Sequence, residues 1–267
     1  NHIKLVIFAN DMTAINRIAI SACKNVGVKS MIYLHGLPAG SYNAIDNNRA
    51  DYLCVWGDRM KELCVNAGVN ANKVIVMGNA KYSGQKFPDT HPASFDNVLV
   101  LSRAISGAPS DSVKRPIENR GLSIDYIYMV EEALKRVGVN KATLRLHPSE
   151  NGEWYKKFID SDFYTLDDKS LMDCLSDKTA IVSPASTVMF DAFLCGIPFF
   201  AFEPHTIIGY EVVPPFDGSE EEMPIAKSIS ELVDHLQHNI VASHALIDKY
   251  INPVVDMSKI KELLPNG

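Results

Sequence analysis

The chain has 267 residues, of which 46% are hydrophobic and 22% charged, and these values are those of a globular protein with a sizeable core. Its length is that of two α/β domains of ordinary size. The formal net charge of −6 argues against general nucleic-acid binding, which needs a broad basic surface. A small anionic ligand is not excluded, because a few well-placed donors suffice for one phosphate.

The cysteines and the apolar runs indicate the cellular compartment of the protein. The five cysteines show no C-x-x-C spacing and lie in apolar runs, which predicts reduced core residues. No run approaches the ~18–20 consecutive apolar residues of a membrane span. No signal peptide is visible, and the abrupt start in a strand-like segment predicts that the first domain is incomplete. We therefore expect a cytoplasmic protein, with peripheral contact to the inner membrane as an alternative.

The first part of the chain alternates apolar runs with helical patterns, as in a parallel sheet covered by helices. Strands are predicted at residues 3–9, 30–34, 51–55 and 74–77. Helices are predicted at residues 12–26 and 58–67. The first helix has Ile15, Ile18, Ala19 and Ala22 on one face. A polar stretch with two prolines at 87–96 then predicts a linker.

A second α/β series begins at residue 97. Strands are predicted at residues 97–101, 142–146, 179–182 and 198–202. Helices are predicted at residues 124–137, 154–159, 170–175, 187–195, 230–237, 245–250 and 258–264. The predicted fold class is therefore α/β with two Rossmann-like domains, and the predicted boundaries are 1–86, a linker at 87–96, and 97–267.

The ends of the predicted strands give the candidate functional residues, because ligands of open parallel sheets bind beyond the carboxyl ends of the strands. The residues at these ends are Asn10-Asp11, His35-Gly36, Trp56-Gly57, Gly78-Asn79, Ser102-Arg103, His147-Pro148, Ser183 to Thr187, and Glu203-Pro204.

The strongest candidate is Ser183-Pro-Ala-Ser186-Thr187, between a buried strand and a helix. We call residues 183–187 the hydroxyl loop. Small hydroxyl residues at a helix start leave backbone N–H groups free and add side-chain donors, and the helix dipole favours an anion. The pattern therefore predicts a phosphate site. An ordinary N-cap, which needs only one hydroxyl, is the alternative.

His147 and Pro148 form the second candidate, at a strand end that we expect to lie next to the hydroxyl loop. An imidazole there could donate to a phosphate oxygen or stabilise a departing nucleotide. A satisfied strand-end histidine is the alternative. Glu150 is either a helix-start carboxylate or an acceptor for ribose hydroxyls, and Arg103 is either a phosphate contact or a surface arginine.

Two residues are candidates for a general base. His35 ends the second predicted strand, and an imidazole near its unperturbed pKa of about 6.5 can take a hydroxyl proton at neutral pH. Gly36 allows the chain to turn sharply beside it. Asp11, at the preceding strand end, is the carboxylate alternative, unless it is a plain N-cap for the following helix.

The order of these motifs resembles known transferases over roughly residues 3–203. Tyr33-Leu34-His35-Gly36-Leu37-Pro38 and the two strands after it look like the end of a GT-B N-terminal domain. The H-G-x-P element resembles that of glycerophosphotransferases using CDP-glycerol, which implies that His35 is the base. Leu146-His147-Pro148 with the hydroxyl loop is similar to the motifs of bacterial sialyl-, polysialyl- and Kdo-type transferases that use CMP-sugars. That likeness implies that His147, Ser186 and Thr187 contact the cytidine monophosphate.

The resemblance implies an inverting glycosyltransferase or polyol-phosphate transferase for surface or capsular polysaccharide synthesis. Residues 1–86 would be a partial acceptor-side domain, and 97–267 the donor-binding domain with closing helices. The donor would be a CMP-sugar or CDP-polyol, contacted also by Arg103, Pro148, Glu150, Ser183 and Glu203, and the acceptor a glycan or a lipid-linked glycan. Since the sequence has no cluster of His, Asp or Cys at metal-ligand spacing, we expect no metal and no further cofactor.

Two other functions stay open. A GT-B-fold UDP-sugar 2-epimerase would need acid and base carboxylates, for which Glu203 and Asp191 are the candidates. A non-catalytic nucleotide-sugar-binding module is the other alternative. A preference for cytidine over uridine nucleotides would favour the transferase.

Overall fold

The computed structural model describes residues 3–11, 13–37, 49–102, 118–148, 150–205 and 212–264. The chain forms two compact units. Unit 1 takes its residues from Asn1–Lys86, Tyr210–Val213 and Ala245–Gly267, and unit 2 takes its residues from Phe87–Gly209 and Pro214–His244.

The described elements follow the α/β alternation that the sequence predicts. The strands are β1 (Leu5–Phe8), β2 (Lys29–Tyr33), β3 (Tyr52–Val55), β4 (Val74–Val76), β5 (Val98–Leu101), β6 (Ala142–Arg145), β7 (Tyr164–Leu166), β8 (Ala180–Ser183), β9 (Phe199–Phe202) and β10 (Ile225–Ala226). The α-helices are α1 (Ala14–Asn25), α2 (Asp58–Asn66), α3 (Glu118–Arg136), α4 (Gly152–Tyr155), α5 (Leu171–Leu175), α6 (Val188–Leu194), α7 (Ile229–His238), α8 (Ala245–Tyr250) and α9 (Ser258–Leu263). Among the described helices, none is long and apolar enough to cross a membrane.

Unit 1 contains a parallel sheet of order β1-β2-β3-β4. The strand β1 pairs with β2 alone among the described residues, so it lies at a sheet edge. As a result the apolar face predicted for α1 stays in solvent: Ile15 is 78% exposed and Ile18 is 69% exposed, and Ile20 is the buried residue of this helix. An edge strand offers a helix a narrower apolar surface than the middle of a sheet does.

The C-terminal part of the chain completes unit 1. The backbone N–H of Asn252 donates to the carbonyl of Trp56 at 2.8 Å, and that of Asp256 donates to the carbonyl of Met77 at 3.1 Å. The Lys259 ammonium donates to the carbonyl of Val76 at 2.6 Å. This C-terminal segment, residues 250–259, therefore covers the carboxyl ends of β3 and β4. By its contacts it belongs with unit 1, although the predicted second domain, 97–267, includes it.

Two glycines allow the C-terminal segment to approach so closely. A Cβ on Gly57 would lie 2.6 Å from the carbonyl oxygen of Tyr250. A Cβ on Gly78 would lie 2.5 Å from the carbonyl oxygen of Val254, and Gly78 has a φ of +83°. Since these are backbone atoms, no side-chain rotation would relieve either contact.

Unit 2 contains a parallel sheet of order β10-β9-β8-β5-β6-β7. All four residues of β5 and all four of β9 are buried, as expected for strands covered on both faces. The chain runs outward from β5 through β6 to β7 and then returns to β8 on the other side of β5. The strand order therefore reverses between β5 and β8, and a crevice at such a switch point is where doubly wound sheets bind ligands.

Candidate functional site

The main predicted residues follow β8, β5 and β6, so they lie together beyond the carboxyl ends of these three neighbouring strands of the unit 2 sheet. The hydroxyl loop, residues 183–187, follows β8, Ser102 follows β5 and His147 follows β6. The expectation that the hydroxyl loop and His147 end adjacent strands is wrong, because β5 lies between them. Two strand spacings put the two strand ends about 10 Å apart.

The backbone of His147 is held from both sides while its side chain is exposed. Its N–H group donates to the Ser102 hydroxyl at 2.9 Å and to Oε2 of Glu150 at 3.1 Å. Its carbonyl accepts from the N–H group of Glu150 at 2.8 Å. The imidazole is therefore presented to solvent by a loop that is tied to the end of β5.

Glu150 is the centre of this arrangement. The Ser102 hydroxyl donates to Oε2 of Glu150, and the Tyr155 hydroxyl donates to Oε1. Tyr155 is fully buried and comes from α4. The helix-start position is taken by Asn151, whose side chain accepts from the N–H groups of Glu153 and Trp154. The carboxylate of Glu150 thus holds the loop together, and it does not cap α4 as one of the two expectations required.

A pocket of about 560 Å³ opens beside His147, entirely within unit 2. This volume lies in the range of small-molecule sites. The lining includes Pro148 and, with the imidazole of His147, two cationic side chains, Arg145 and Lys156. It also includes Asp167 and Asp168, which follow β7. Sequence reasoning missed these two carboxylates because it missed β7; the run Tyr164-Thr165-Leu166 between acidic residues is the signal that could have found it.

Cys174, which interacts with Asp167, is poorly suited to act as a nucleophile. Burial, followed by the nearby charge of Asp167, raises the pKa of the Cys174 thiol to about 11. The thiol is therefore protonated at neutral pH, and a thiol attacks far more slowly than a thiolate. All five cysteines are free, as the sequence predicts.

The hydroxyl loop contains one buried and two partly exposed hydroxyl residues. Ser183 is buried and its hydroxyl donates to the carbonyl of Pro184 at 2.8 Å, so it faces inward. Ser186 and Thr187 are half-buried. Thr187 precedes α6, and its side chain makes no capping hydrogen bond. The ordinary N-cap expected as the alternative is therefore not what this hydroxyl does.

Glu203, at the end of β9, braces the hydroxyl loop. Its Oε1 accepts from the backbone N–H of Ala185 at 3.0 Å. One of the N–H groups that an anion could have used is therefore already bound to a carboxylate. Asp191, on the buried face of α6, lies in the same part of the fold and is 3% exposed. Arg103 lies outside the described residues.

In unit 1, His35 follows β2 and is exposed. Its Nδ1 lies 3.4 Å from the carbonyl oxygen of Ala9. A carbonyl oxygen can only accept, so this contact favours the tautomer with the proton on Nδ1 and the lone pair on Nε2. That tautomer leaves Nε2 as the nitrogen that can take a proton from a substrate.

Asp11 is in a different situation from His35. It is fully buried, accepts from the backbone N–H of Arg49 at 3.1 Å, and forms an ion pair with the Arg49 guanidinium at 3.3 Å. It does not cap α1, because the N-cap is Thr13, whose hydroxyl accepts from the N–H of Asn16 at 3.2 Å. Asp11, just after β1, therefore binds Arg49, just before β3. In the part of the chain that the structure describes, no group of three or more His, Cys, Asp or Glu side chains could hold a metal ion.

No protein-family model matches the sequence, and no curated protein matches it. Solved structures do match. UDP-GlcNAc 2-epimerase from Neisseria meningitidis aligns with 98% of this chain and 76% of its own, at a TM-score of 0.58 and 14% identity. MnaA from S. aureus, solved with UDP, aligns with 94% of this chain and 69% of its own, at a TM-score of 0.54 and 13% identity.

A third match is a putative UDP-N-acetylglucosamine 2-epimerase from Listeria monocytogenes, over 88% of this chain and 66% of its own, at a TM-score of 0.52 and 14% identity. At these identities the likeness shows the fold. The protein has the GT-B architecture of two parallel-sheet, Rossmann-like units, which confirms the predicted fold class.

Proposed function

We propose that this protein is an inverting, metal-independent transferase that uses a cytidine-activated sugar or polyol as its donor. The observation that carries the proposal is the arrangement beyond the carboxyl ends of the unit 2 strands, at the switch point. There Ser186 and Thr187 lie on one side of β5 and His147 on the other. The strand ends are about 10 Å apart, so side chains that extend from both ends can approach one phosphate between them. The pocket beside His147 offers room for the remainder of the nucleotide.

Each of these side chains has a role that suits its position. The hydroxyls of Ser186 and Thr187 donate to the donor phosphate. The exposed imidazole of His147 stabilises the negative charge that develops on the phosphate as it departs. The resemblance of Leu146-His147-Pro148 and the hydroxyl loop to CMP-sugar transferases supports cytidine as the base. Arg103, which follows Ser102, is the further phosphate contact that we propose.

On the acceptor side we propose His35 as the general base. Nε2 of His35 takes the proton of an acceptor hydroxyl while that oxygen forms a bond to the anomeric carbon of the donor sugar. The bond between this carbon and the phosphate oxygen breaks, and the nucleotide leaves with the electron pair. For a CDP-polyol donor the same hydroxyl would attack the β-phosphorus, and CMP would leave. His35 suits this task better than Asp11, which is buried and paired with Arg49.

The setting that we propose follows from the same resemblance. The acceptor is a glycan or a lipid-linked glycan, and the product is a surface or capsular polysaccharide. The reaction then takes place in the cytoplasm, with peripheral contact to the inner membrane where the acceptor is lipid-linked.

The second candidate function is sugar-nucleotide epimerisation, the activity named for two of the similar structures described above. It requires carboxylates that can exchange protons with a sugar. Of the two candidates, Glu203 accepts from the N–H of Ala185, and Asp191 is buried on α6. Both positions suit a structural role better than proton exchange, and this argument favours the transferase.

The base preference and the role of His147 can be tested together. The melting temperature is measured with CMP, CDP, UDP and GDP, and release of CMP is measured with a CMP-sugar or CDP-polyol donor. We expect stabilisation by the cytidine nucleotides and a loss of turnover of about 10²-fold in His147→Ala. The matched control is His238→Ala, since His238 is exposed on α7 and bonds within its own helix.

The outcomes separate the candidates. A preference for UDP with interconversion of a UDP-sugar would establish the epimerase instead. Stabilisation by cytidine nucleotides without turnover of any donor would favour a binding module. Equal turnover in His147→Ala and His238→Ala would remove His147 from the chemistry.

A further inference from the structure

We infer that Glu150 is a positioning residue: with Ser102 and Tyr155 it forms a network that sets the His147 loop. The inference deepens the proposed function and rests on it, because the network matters to turnover through His147. The sequence left Glu150 between a helix cap and a ribose contact. Asn151 takes the cap, and Glu150 lines the pocket beside His147.

The network joins three parts of unit 2. Ser102 follows β5, Glu150 lies in the loop after β6, and Tyr155 ends α4. Both hydroxyls donate to the carboxylate, one to each oxygen. The N–H of His147 lies 3.1 Å from the same oxygen that Ser102 binds. A carboxylate has about four acceptor positions, so at least three are directed inward to protein donors.

This arrangement fixes the backbone of His147 in particular. Its N–H group points at Ser102 and Glu150, and its carbonyl accepts from the N–H of Glu150. The peptide groups on both sides of His147 are therefore held by Glu150. The ring of Pro148 restricts the next φ angle. The direction of the imidazole then depends on the carboxylate, although Glu150 need not touch the ligand.

The burial of Tyr155 explains why the network is strong. Tyr155 is fully buried, and a buried hydroxyl without a hydrogen-bond partner destabilises the fold. Its bond to Glu150 is charge-assisted, and such bonds are roughly twice as strong as neutral ones. Glu150 is thus held by the buried hydroxyl of Tyr155 on α4, and it in turn holds the backbone of the exposed His147.

The test uses a variant that removes one hydroxyl and nothing else. Tyr155→Phe deletes the donor to Oε1, and Glu150→Ala deletes the whole network. The matched control is Tyr128→Phe, because the Tyr128 hydroxyl also donates one bond in unit 2, to the carbonyl of Phe158 at 2.5 Å. NMR resonances of the His147 amide and imidazole are compared in the free protein, so this readout needs no substrate.

We expect both network variants to shift the His147 resonances and Tyr128→Phe to leave them in place. Unshifted resonances in Tyr155→Phe and Glu150→Ala would overturn the inference. If Glu150→Ala fails to fold, Tyr155→Phe decides the question alone.

Turnover provides the second readout. Glu150→Ala should lower kcat by roughly 10–10²-fold, the effect of a small misplacement of a catalytic group. In the His147→Ala background the same change should cost little, since the two residues act as a unit. Additive losses would overturn the positioning role. If His147→Ala retains full turnover, the proposed role of His147 fails, and the resonances still decide the network.

Binding of 2′-deoxy-CMP separates positioning from a direct ribose contact. Positioning predicts that Glu150→Ala weakens CMP and 2′-deoxy-CMP by the same factor. A loss confined to CMP would assign Glu150 to the ribose and overturn the inference.

Discussion

Replacing Gly57 by alanine is expected to detach the C-terminal segment from unit 1. The added Cβ would lie 2.6 Å from the carbonyl oxygen of Tyr250 and 2.7 Å from its carbonyl carbon. Real Cβ atoms essentially never approach backbone so closely, so the segment has to move. Overpacking of this kind costs about 1–3 kcal/mol. Loss of the bond from the Asn252 N–H to the Trp56 carbonyl adds about 1 kcal/mol.

The assay combines urea denaturation with hydrogen exchange. We expect Gly57→Ala to lower the free energy of unfolding by about 2–4 kcal/mol, the sum of the overpacking and lost hydrogen-bond costs. The amides of Asn252 and Asp256 should exchange faster, because they donate to the ends of β3 and β4. The control is Gly121→Ala, in the open on α3, which should stabilise by about 0.5–1 kcal/mol. An unchanged midpoint with a protected Asn252 amide would refute the reasoning.

Three further predictions concern burial and charge. Asp11→Ala should cost about 1–3 kcal/mol in urea denaturation, because it leaves the donors of the partner arginine without their buried acceptor. Burial lowers the pKa values of His235 and His244, so the folded protein favours their neutral forms. The contribution of these two rings to the free energy of unfolding should therefore be fully present above the unfolded pKa of about 6.5. It should fall as the pH drops below that value. Burial raises the pKa values of Cys54 and Cys64 to about 12, so iodoacetamide at pH 8 should spare both in the native protein.

Each of these has a contrary result. An Asp11→Ala variant as stable as the wild type would mean that the ion pair contributes nothing. A stability curve that is flat between pH 7.5 and pH 5.5 would exclude a contribution from both rings, and a curve that His244→Gln leaves unchanged would exclude one from His244. Rapid alkylation of Cys54 or Cys64 without denaturant would show that the core of unit 1 opens readily.

The alternation of strands and helices could be predicted because it is written in local patterns. Strands covered on both faces are continuous apolar runs, and β5, β8 and β9 follow this rule with every residue buried. The strands β7 and β10 have three and two residues, and they lie at the two edges of the sheet. Runs so short carry no period that would separate them from a loop.

The face of α1 shows a different limit. The spacing of Ile15 and Ile18 is that of a buried helix face, yet both are exposed. Periodicity reports that a helix has an apolar side, and it does not report whether the sheet beneath is wide enough to cover it. That information lies in the strand order, with β1 at the edge.

For the site, the sequence could predict which residues end the strands, and it could not predict how they are paired. Ser102 and Glu150 are 48 residues apart, and Asn252 lies far along the chain from Trp56. No local pattern encodes such contacts, because each depends on the order in which strands assemble. The wrong prediction that the hydroxyl loop and His147 end adjacent strands has the same origin. The crossover that places β8 on the other side of β5 leaves no trace in residue spacing.

The C-terminal segment also sets an order of events during synthesis. The sheet of unit 2 is complete in the chain once Ala226 has been made, whereas the carbonyl of Trp56 has to wait for the N–H of Asn252. A ribosome therefore releases everything that unit 2 needs before it releases the last part of unit 1. Until residues 250–259 have been made, the carboxyl ends of β3 and β4 lack the hydrogen bonds from Asn252 and Asp256.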